Sequence, residues 1–263
     1  MIKIESKENS VFKDAKALKN RKERRKRGKF LVEGFRFLSE AFRSRCNVEA
    51  IFISEDEKEK FDEYFANADL TDTTVYLMEH KLLQSLCSTE TPQGIVGIVE
   101  IKSPEIKKHG FYVLCDKVQD PGNLGTIIRT AHAAGASGVI ITKGTVDPYN
   151  DKALRATMGS VFHIPVIEDT DLEVLKMLGR EKYDILAASL ETDKDFFQED
   201  ITGNLVICVG NEGNGLSKEI YDLSNKLVRI PMPGGAESLN VSSAAAIMIY
   251  ERIRQNITKG IEF

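Results

Sequence analysis

The sequence predicts an α/β protein built in two units, and three observations carry that prediction. Short apolar runs alternate with helix-patterned segments along almost the whole chain. In the second half those runs lack polar alternation, as expected of parallel strands covered on both faces. Between the halves, residues 102–110 hold Pro104, three lysines, His109 and Gly110 with little apolar content, which marks a boundary. We therefore expect a smaller unit over 1–105 and a larger one over 110–263. The 263 residues suffice for both, and 42% apolar with 29% charged residues excludes wholesale disorder.

The elements follow in order. Ser10 to Lys29 is strongly basic, with ten Lys or Arg against Asp14 and Glu23. Its net charge of +8 leaves −12 for the rest of a chain whose total is −4. That density reads as a basic arm for phosphate contact, against the plainer alternative of a solvated helix face. Phe30 to Glu33 reads as a strand, Phe35 to Arg43 as a helix, and Val48 to Ser54 as a strand. The charged 57–66 stretch is helical in pattern, Thr73 to Met78 strand-like, 79–87 helical and Gly94 to Ile101 strand-like. In the second half the strand candidates are Phe111–Cys115, Gly138–Thr142, Phe162–Ile167, Tyr183–Ala188, Leu205–Gly210 and Leu227–Pro231. A long helix follows from Leu239 to about Gln255. Its Ala244–Ile249 stretch is apolar all round, so we expect it to be buried in the domain or between subunits.

Several function classes drop out. No apolar run approaches the ~20 residues of a membrane span, and the first residues carry no apolar signal region, so a cytoplasmic protein is expected. Cys46, Cys87, Cys115 and Cys208 are scattered without a CxxC or a nearby histidine pair. Neither a metal site nor a disulfide framework is expected, and Cys115 and Cys208 read as small buried hydrophobes. The four histidines fit no recognised triad with any serine.

Three polar, glycine-bearing stretches each follow a predicted strand, where open α/β sheets bind ligands. Asp120–Arg129 opens a helix that Asn123 is placed to cap, with Leu124, Ile127, Ile128, Ala131 and Ala134 on one stripe and Arg129 opposite it. Val209–Ser217 has GxxxxG spacing, but Leu216 stands where a phosphate-binding loop needs its lysine. A dinucleotide GxGxxG is also missing, so ATP and NAD are poor ligands for this sheet. Ile230–Ser242 completes the set.

Taken together, NLGxxxR from Asn123, GNEGxGLS from Gly210 and IPMPGGxxSLNVSSAxAI from Ile230 resemble the three motifs of the SpoU family. This is the ribose 2'-O-methyltransferase branch of the SPOUT superfamily. The resemblance spans about 111–256, and LVEGFRFLSEA after the basic stretch is similar to the substrate-binding domain that often precedes it.

The resemblance implies a trefoil-knotted catalytic domain after an L30e-like α/β domain, S-adenosylmethionine as cofactor, and homodimerisation through the catalytic domain. It implies roles by position. Arg129 matches the arginine assigned to 2'-hydroxyl activation, although a guanidinium of pKa above ~12 more easily orients the hydroxyl than deprotonates it. Asn123 would hold Arg129 or the ribose, and Glu212 would pair with Arg129 or a substrate group. Ser238 and Asn240 match a polar pair near the substrate. Gly210, Ile230 and Leu239 match positions whose backbone contacts the cofactor. RNA contact is expected at Lys19, Arg21, Arg24, Arg25 and Arg27 of the basic arm and at Arg155. Ribosomal RNA is favoured over transfer RNA as substrate. The rival functions are a transfer RNA methyltransferase, a non-catalytic RNA-binding knot protein and a base methyltransferase.

Overall fold

The computed structural model describes residues 1–190 and 192–261. The chain divides into two units, one of residues 1–103 with 149–151, the other of 104–148 with residues from 152 onward.

In the first unit the elements are β1 (Ile2–Ile4), α1 (Ser10–Ala17), α2 (Arg21–Arg27), β2 (Lys29–Glu33), α3 (Phe35–Arg43), β3 (Val48–Ser54), α4 (Lys58–Tyr64), β4 (Thr74–Met78), α5 (His80–Leu83) and β5 (Ile95–Glu100). The sheet runs β1-β4-β3-β5-β2, with β4 parallel to β1 and β3, and β5 antiparallel to β3 and β2. Strand β1 was not foreseen, because three residues next to a terminus carry too little pattern.

The basic segment is not an arm but two short helices. Asn9 caps α1 by accepting from the N–H groups of Val11 and Phe12, and Asn20 caps α2 by accepting from Lys22. Gly28, at φ +64°, closes α2 in the left-handed conformation. Phe12, Ala15 and Leu18 sink into the core beside Leu83 and Leu86. Burial of these side chains anchors the charged helices, at roughly 1.5–3 kcal/mol for a residue such as Phe12 or Leu18.

The second unit contains β6 (Phe111–Cys115), α6 (Pro121–Ala133), β7 (Gly138–Thr142), α7 (Asp151–Thr157, from its second residue onward), β8 (Val166–Asp169), α8 (Glu173–Arg180), β9 (Asp184–Ala188), β10 (Leu205–Val209), α9 (Lys218–Leu223), β11 (Lys226–Val228) and α10 (Val241–Lys259). Its sheet runs β11-β9-β10-β6-β7-β8, and every pairing is parallel, as the unbroken apolar runs predict. Cys115 and Cys208 lie fully buried in adjacent central strands, where burial pushes both thiols well up from their ordinary pKa.

Two strand expectations need correction. Residues 160–162 form a 3₁₀ turn entered through Gly159 at φ +94°, and the strand starts only at Val166, after Pro165. The last strand ends at Val228; Arg229 makes one isolated bridge with Asp195, and Pro231 has no N–H to extend the ladder.

The final helix also differs from expectation. One face packs on α6 and β10, and it is the polar residues Glu251, Arg252, Gln255 and Asn256 that join Ala245, Met248 and Ile249 in burial. Tyr250 and Ile257 stay 50% and 65% exposed. Two of the buried polar groups bind neighbouring main chain, whereas the Asn256 Oδ1 finds no hydrogen-bond partner among the described residues. Arg252 donates to the carbonyls of Ile201 and Gly203, with its guanidinium 4.9 Å from the centroid of the Phe111 ring. Gln255 accepts from Ile201 N–H at 3.1 Å and donates to Glu199 carbonyl at 2.9 Å. The loop between β9 and β10 is thereby tied to α10 through its main chain. No helix among the described residues is long and apolar enough to cross a membrane.

Candidate active site

Strands β10, β6 and β7 lie side by side, so their carboxyl ends open onto one rim of the sheet. Asp116, the residue after β6, is 1% exposed and laces that rim together. One oxygen accepts from the Thr142 hydroxyl at the end of β7, at 2.6 Å. The other accepts from the Ser217 N–H beyond β10, at 2.7 Å.

Next in the chain, α6 starts one turn earlier than expected. Asp120, not Asn123, is its N-cap: its carboxylate accepts from Asn123 N–H at 2.8 Å, and Pro121 occupies the first turn. Proline suits that position because its missing N–H would have no helical partner. The capping role thus passes to Asp120, and the Asn123 side chain is free to reach outward.

Asn123 joins the three motif stretches. Its Nδ2 donates to Glu212 Oε1 at 3.0 Å. Its Oδ1 accepts from Asn240 Nδ2 at 3.0 Å, with the Ser242 hydroxyl 3.4 Å away donating its one proton to Asn240 Oδ1 at 2.6 Å. The amide orientations follow from chemistry. Asn240 caps α10, so its Oδ1 must accept from the N–H groups of Ser242 and Ser243, which leaves its Nδ2 to donate. Glu212, when ionised, can only accept. Asn123 has one donor and one acceptor group, and here each faces its complement.

Glu212 also accepts from the N–H groups of Gln119 and Asp120, each at 3.3 Å. Its partial burial alone would raise its pKa. The hydrogen bonds from Asn123 and from the main-chain N–H groups of Glu212, Gln119 and Asp120 outweigh this and lower it. Glu212 is therefore a fixed carboxylate that orients its neighbours, and a weak base.

The loop after β10 has its own order. Asn211 and Gly215 exchange main-chain hydrogen bonds at 2.8 and 2.9 Å. Asn211 Nδ2 donates to the Lys117 carbonyl at 2.9 Å, tying the loop to the end of β6. Gly210 is required by packing: a Cβ there would lie 2.1 Å from the Gly215 carbonyl carbon. Ile230 and Leu239 lie outside any strand or helix. Among the described residues, their main-chain N–H and C=O groups make no main-chain hydrogen bond.

Other expected residues stand apart. Arg129 is exposed on α6, six residues beyond Asn123, hence about 9 Å further along the axis and well round the helix. Among the described residues it pairs with neither Glu212 nor Asn123, so of the two partners expected for each of those residues the structure does not form the one with Arg129. Ser238 is exposed and joins no hydrogen bond of the cluster; Ser242 takes that place. Arg155 is exposed on α7.

Among the basic residues of α1 and α2, Arg24 is withdrawn from any ligand. It is 7% exposed, and Nη1 donates to the carbonyls of Leu18 and Lys19 at 2.8 and 2.9 Å, closing the end of α1. Lys19 donates to Cys87 carbonyl at 2.7 Å, and Arg27 pairs with Asp14 and Glu23. The exposed basic face is instead Arg21, Lys22, Arg25 and Lys26, an arc of about 140° on α2.

Asp116, Asn211 and Ser242 were missed by sequence reasoning. An acidic residue directly after the Tyr112–Cys115 run was the available signal for Asp116. For Asn211 and Ser242 the signal was their place inside motifs already singled out.

The electrostatics of Glu212 can be tested. Its folded pKa lies below the unfolded value of about 4.3, so its stabilising contribution is complete above that pH and is lost as pH falls through the folded pKa. In an NMR titration the Glu212 carboxyl should have its midpoint below ~4.3, with the amides of Gln119 and Asp120 moving in step. Glu212→Gln should abolish that amide titration. A Glu212 midpoint at or above 4.3 would mean that the cluster does not hold the carboxylate.

Comparison with known proteins agrees with this geometry. The SpoU rRNA Methylase family profile matches residues 110–250, and the MRM3-like substrate binding domain profile matches 9–97. The 23S rRNA (guanosine(2553)-2'-O)-methyltransferase RlmP of Bacillus subtilis is 36% identical over 95% of this chain and 98% of its own length. The SpoU methyltransferase AviRb from Streptomyces viridochromogenes, solved in complex with AdoMet, superposes with a TM-score of 0.86 at 30% identity, covering 95% of this chain and 99% of that one. An AdoMet-bound rRNA methyltransferase from Sinorhizobium meliloti superposes with a TM-score of 0.81 at 33% identity, over 96% and 97% of the two chains. The all-parallel sheet, the three joined motifs and these likenesses converge: the chain belongs to the SpoU rRNA methylase family, with an MRM3-like substrate-binding domain before the methylase domain.

Proposed function

We propose that this chain is an S-adenosylmethionine-dependent methyltransferase that methylates a ribose 2'-hydroxyl in ribosomal RNA. The observation that carries this is the Asn123 side chain, which joins the three motif stretches at the carboxyl-end rim of a parallel sheet. The names of the full-length relatives, which act on 23S rRNA, favour ribosomal over transfer RNA. An intact Asn123–Glu212–Asn240 cluster argues against a purely RNA-binding protein.

The rim residues suit the cofactor. Main-chain groups of Ile230 and Leu239 are open to read an adenine edge without polar side chains, and the ordered loop from Gly210 offers more main chain beside them. When bound there, S-adenosylmethionine supplies a methyl group on a cationic sulfonium, a good leaving group. The protein's task is to align the ribose oxygen and stabilise the charge that grows on it. Arg129, exposed and without a protein partner among the described residues, orients the hydroxyl and neutralises that charge. Its proton passes to solvent or an RNA phosphate, because neither a guanidinium nor the low-pKa Glu212 is a good base. Asn123, Asn240 and Ser242 fix the rim on which the ribose rests, and Ser238 lies in the exposed approach to it.

Arg129→Ala should reduce methyl transfer at least ~100-fold while the calorimetric affinity for S-adenosylmethionine stays within a few fold. Wild-type turnover in that variant would remove Arg129 from the chemistry.

RNA capture belongs to the first unit, through Arg21, Lys22, Arg25 and Lys26 on the exposed arc of α2, with Arg155 adding a contact in the second unit. Replacing the four α2 residues by glutamine should weaken RNA binding and lower the log–log salt slope by about 3, for four phosphates no longer neutralised. An unchanged affinity and slope would place the RNA elsewhere.

The catalytic unit works as a homodimer. Ile247, Tyr250 and Ile257 line the face of α10 turned away from α6 and β10, and Tyr250 and Ile257 are exposed apolar side chains on a helix otherwise well packed. In sedimentation velocity the protein should run as a dimer at micromolar concentration. Tyr250→Glu combined with Ile257→Glu should give a folded monomer, and a monomeric wild type would refute the dimer.

The chain further forms the trefoil knot. Strand β11 lies at the sheet edge, yet α10 returns to α6 and β10, so residues 229–240 must cross the rim, and Arg229 pairs with Lys194 and Phe196 on the way. The first unit is L30e-like, and the enzyme acts in the cytoplasm, a reducing compartment in keeping with its four free cysteines.

A further inference from the structure

We propose that Asp116 is a positioning residue for the cofactor: it holds the loop 210–217 in its binding conformation by accepting the Ser217 N–H. Asp116 carries no motif role and touches none of Asn123, Glu212 or Asn240 directly. Its position is nonetheless unusual. It is a carboxylate 1% exposed at the carboxyl-end rim of the sheet, with no cationic partner among the described residues. Such burial is costly unless the charge is well hydrogen-bonded. Here one oxygen takes the Thr142 hydroxyl at 2.6 Å and the other the Ser217 N–H at 2.7 Å, both short enough to be charge-assisted.

The consequence lies in where those bonds fall. The loop after β10 is attached to the end of β6 twice. Asn211, at its start, donates to Lys117 carbonyl, and Ser217, at its end, donates to Asp116. The Thr142 hydroxyl, which donates to Asp116, also accepts from Lys117 N–H at 3.2 Å, so β7 joins the same lock. Between the two pins lie Gly215, whose main chain sits against Gly210, and Glu212, which completes the Asn123 cluster. Releasing the second pin frees the loop's C-terminal half while Thr142 and the strands remain.

The proposal rests on the reading that loop 210–217 contacts S-adenosylmethionine, and the test separates the two. Three variants are compared for S-adenosylmethionine affinity by calorimetry, for methyl transfer, and for amide hydrogen exchange without cofactor. Asp116→Ala removes the acceptor. Ser217→Pro removes the N–H at a φ of −70° that proline adopts, and the hydroxyl lost with it makes no capping hydrogen bond. Gly210→Ala places a Cβ against the Gly215 main chain.

Asp116→Ala and Ser217→Pro should each weaken cofactor binding by about 10–100-fold, the loss expected for one charge-assisted hydrogen bond. The rate at saturating cofactor should stay within about threefold, because interactions made equally in ground and transition states move KM rather than kcat. Exchange should rise at residues 211–217 while β6 and β10 stay protected. Asp116→Ala combined with Ser217→Pro should be no worse than the weaker-binding single variant, because both remove the same Ser217–Asp116 bond. Asp116→Asn, whose carbonyl can still accept from Ser217, should recover most of the affinity. Should Asp116→Ala not fold, Ser217→Pro carries the test with the carboxylate still in place.

Loss of binding in Gly210→Ala but not in Ser217→Pro overturns the role of Asp116 and leaves the loop reading standing. Unaltered binding in Gly210→Ala overturns the loop reading, and this proposal with it. Affinity losses that multiply in the double variant, or a fall in kcat with affinity unchanged, also contradict it.

Discussion

One side-chain amide holds the candidate site together. Asn123 must donate to a carboxylate on one side and accept from an amide on the other, and its two partners cannot exchange roles. The polarity begins at the N-terminus of α10, whose unpaired N–H groups fix the oxygen of Asn240. It passes through Asn123 and ends at Glu212, which the main-chain N–H groups of Gln119 and Asp120 keep ionised. Three stretches far apart in sequence thus share one directional hydrogen-bond chain. A cluster wired this way is not readily rewired, since reversing one amide would set donor against donor or acceptor against acceptor.

The surroundings serve that chain. An all-parallel sheet puts every carboxyl end on one rim, and Asp116 knits three strand ends there by hydrogen bonds rather than by packing. The last helix is held by a different device. Its buried Arg252 and Gln255 bind the main chain of the β9–β10 loop, whose polar groups would otherwise lie unsatisfied. Breaking one such contact costs about 1–3 kcal/mol for each buried group left without a partner, which explains why a helix apolar at its start carries so many polar residues on its inner face.

Much of this was legible in the sequence, and the exceptions have physical reasons. Most strands of both sheets and the stripe of α6 follow from periodicity, which burial enforces, whereas β1 is too short to carry a pattern and the strands near 162 and 231 are cut short by Pro165 and Pro231. The helix start at Asp120 was misplaced because Asp120 and Asn123 are both good caps, and only Pro121 between them settles the choice. The basic segment looked like a free arm because its charges hide three inward residues, Phe12, Ala15 and Leu18. Arg24 was counted with the other arginines because charge says nothing about direction; in the fold its guanidinium turns inward onto the carbonyls of Leu18 and Lys19. Asp116 escaped notice because its significance lies in partners 26 and 101 residues away.

The distribution of charge fits a division of labour, with a basic helix on the first unit and the three motifs on an acidic second unit. The most direct test of methyl transfer to ribose is chemical. Ribosomal RNA incubated with the purified protein and labelled S-adenosylmethionine would be hydrolysed in alkali and mapped. A 2'-O-methyl group leaves the next phosphodiester uncleaved, so the label should fall in alkali-resistant dinucleotides at a discrete site. Label recovered only in alkali-sensitive mononucleotides would place the methyl on a base and contradict the assignment.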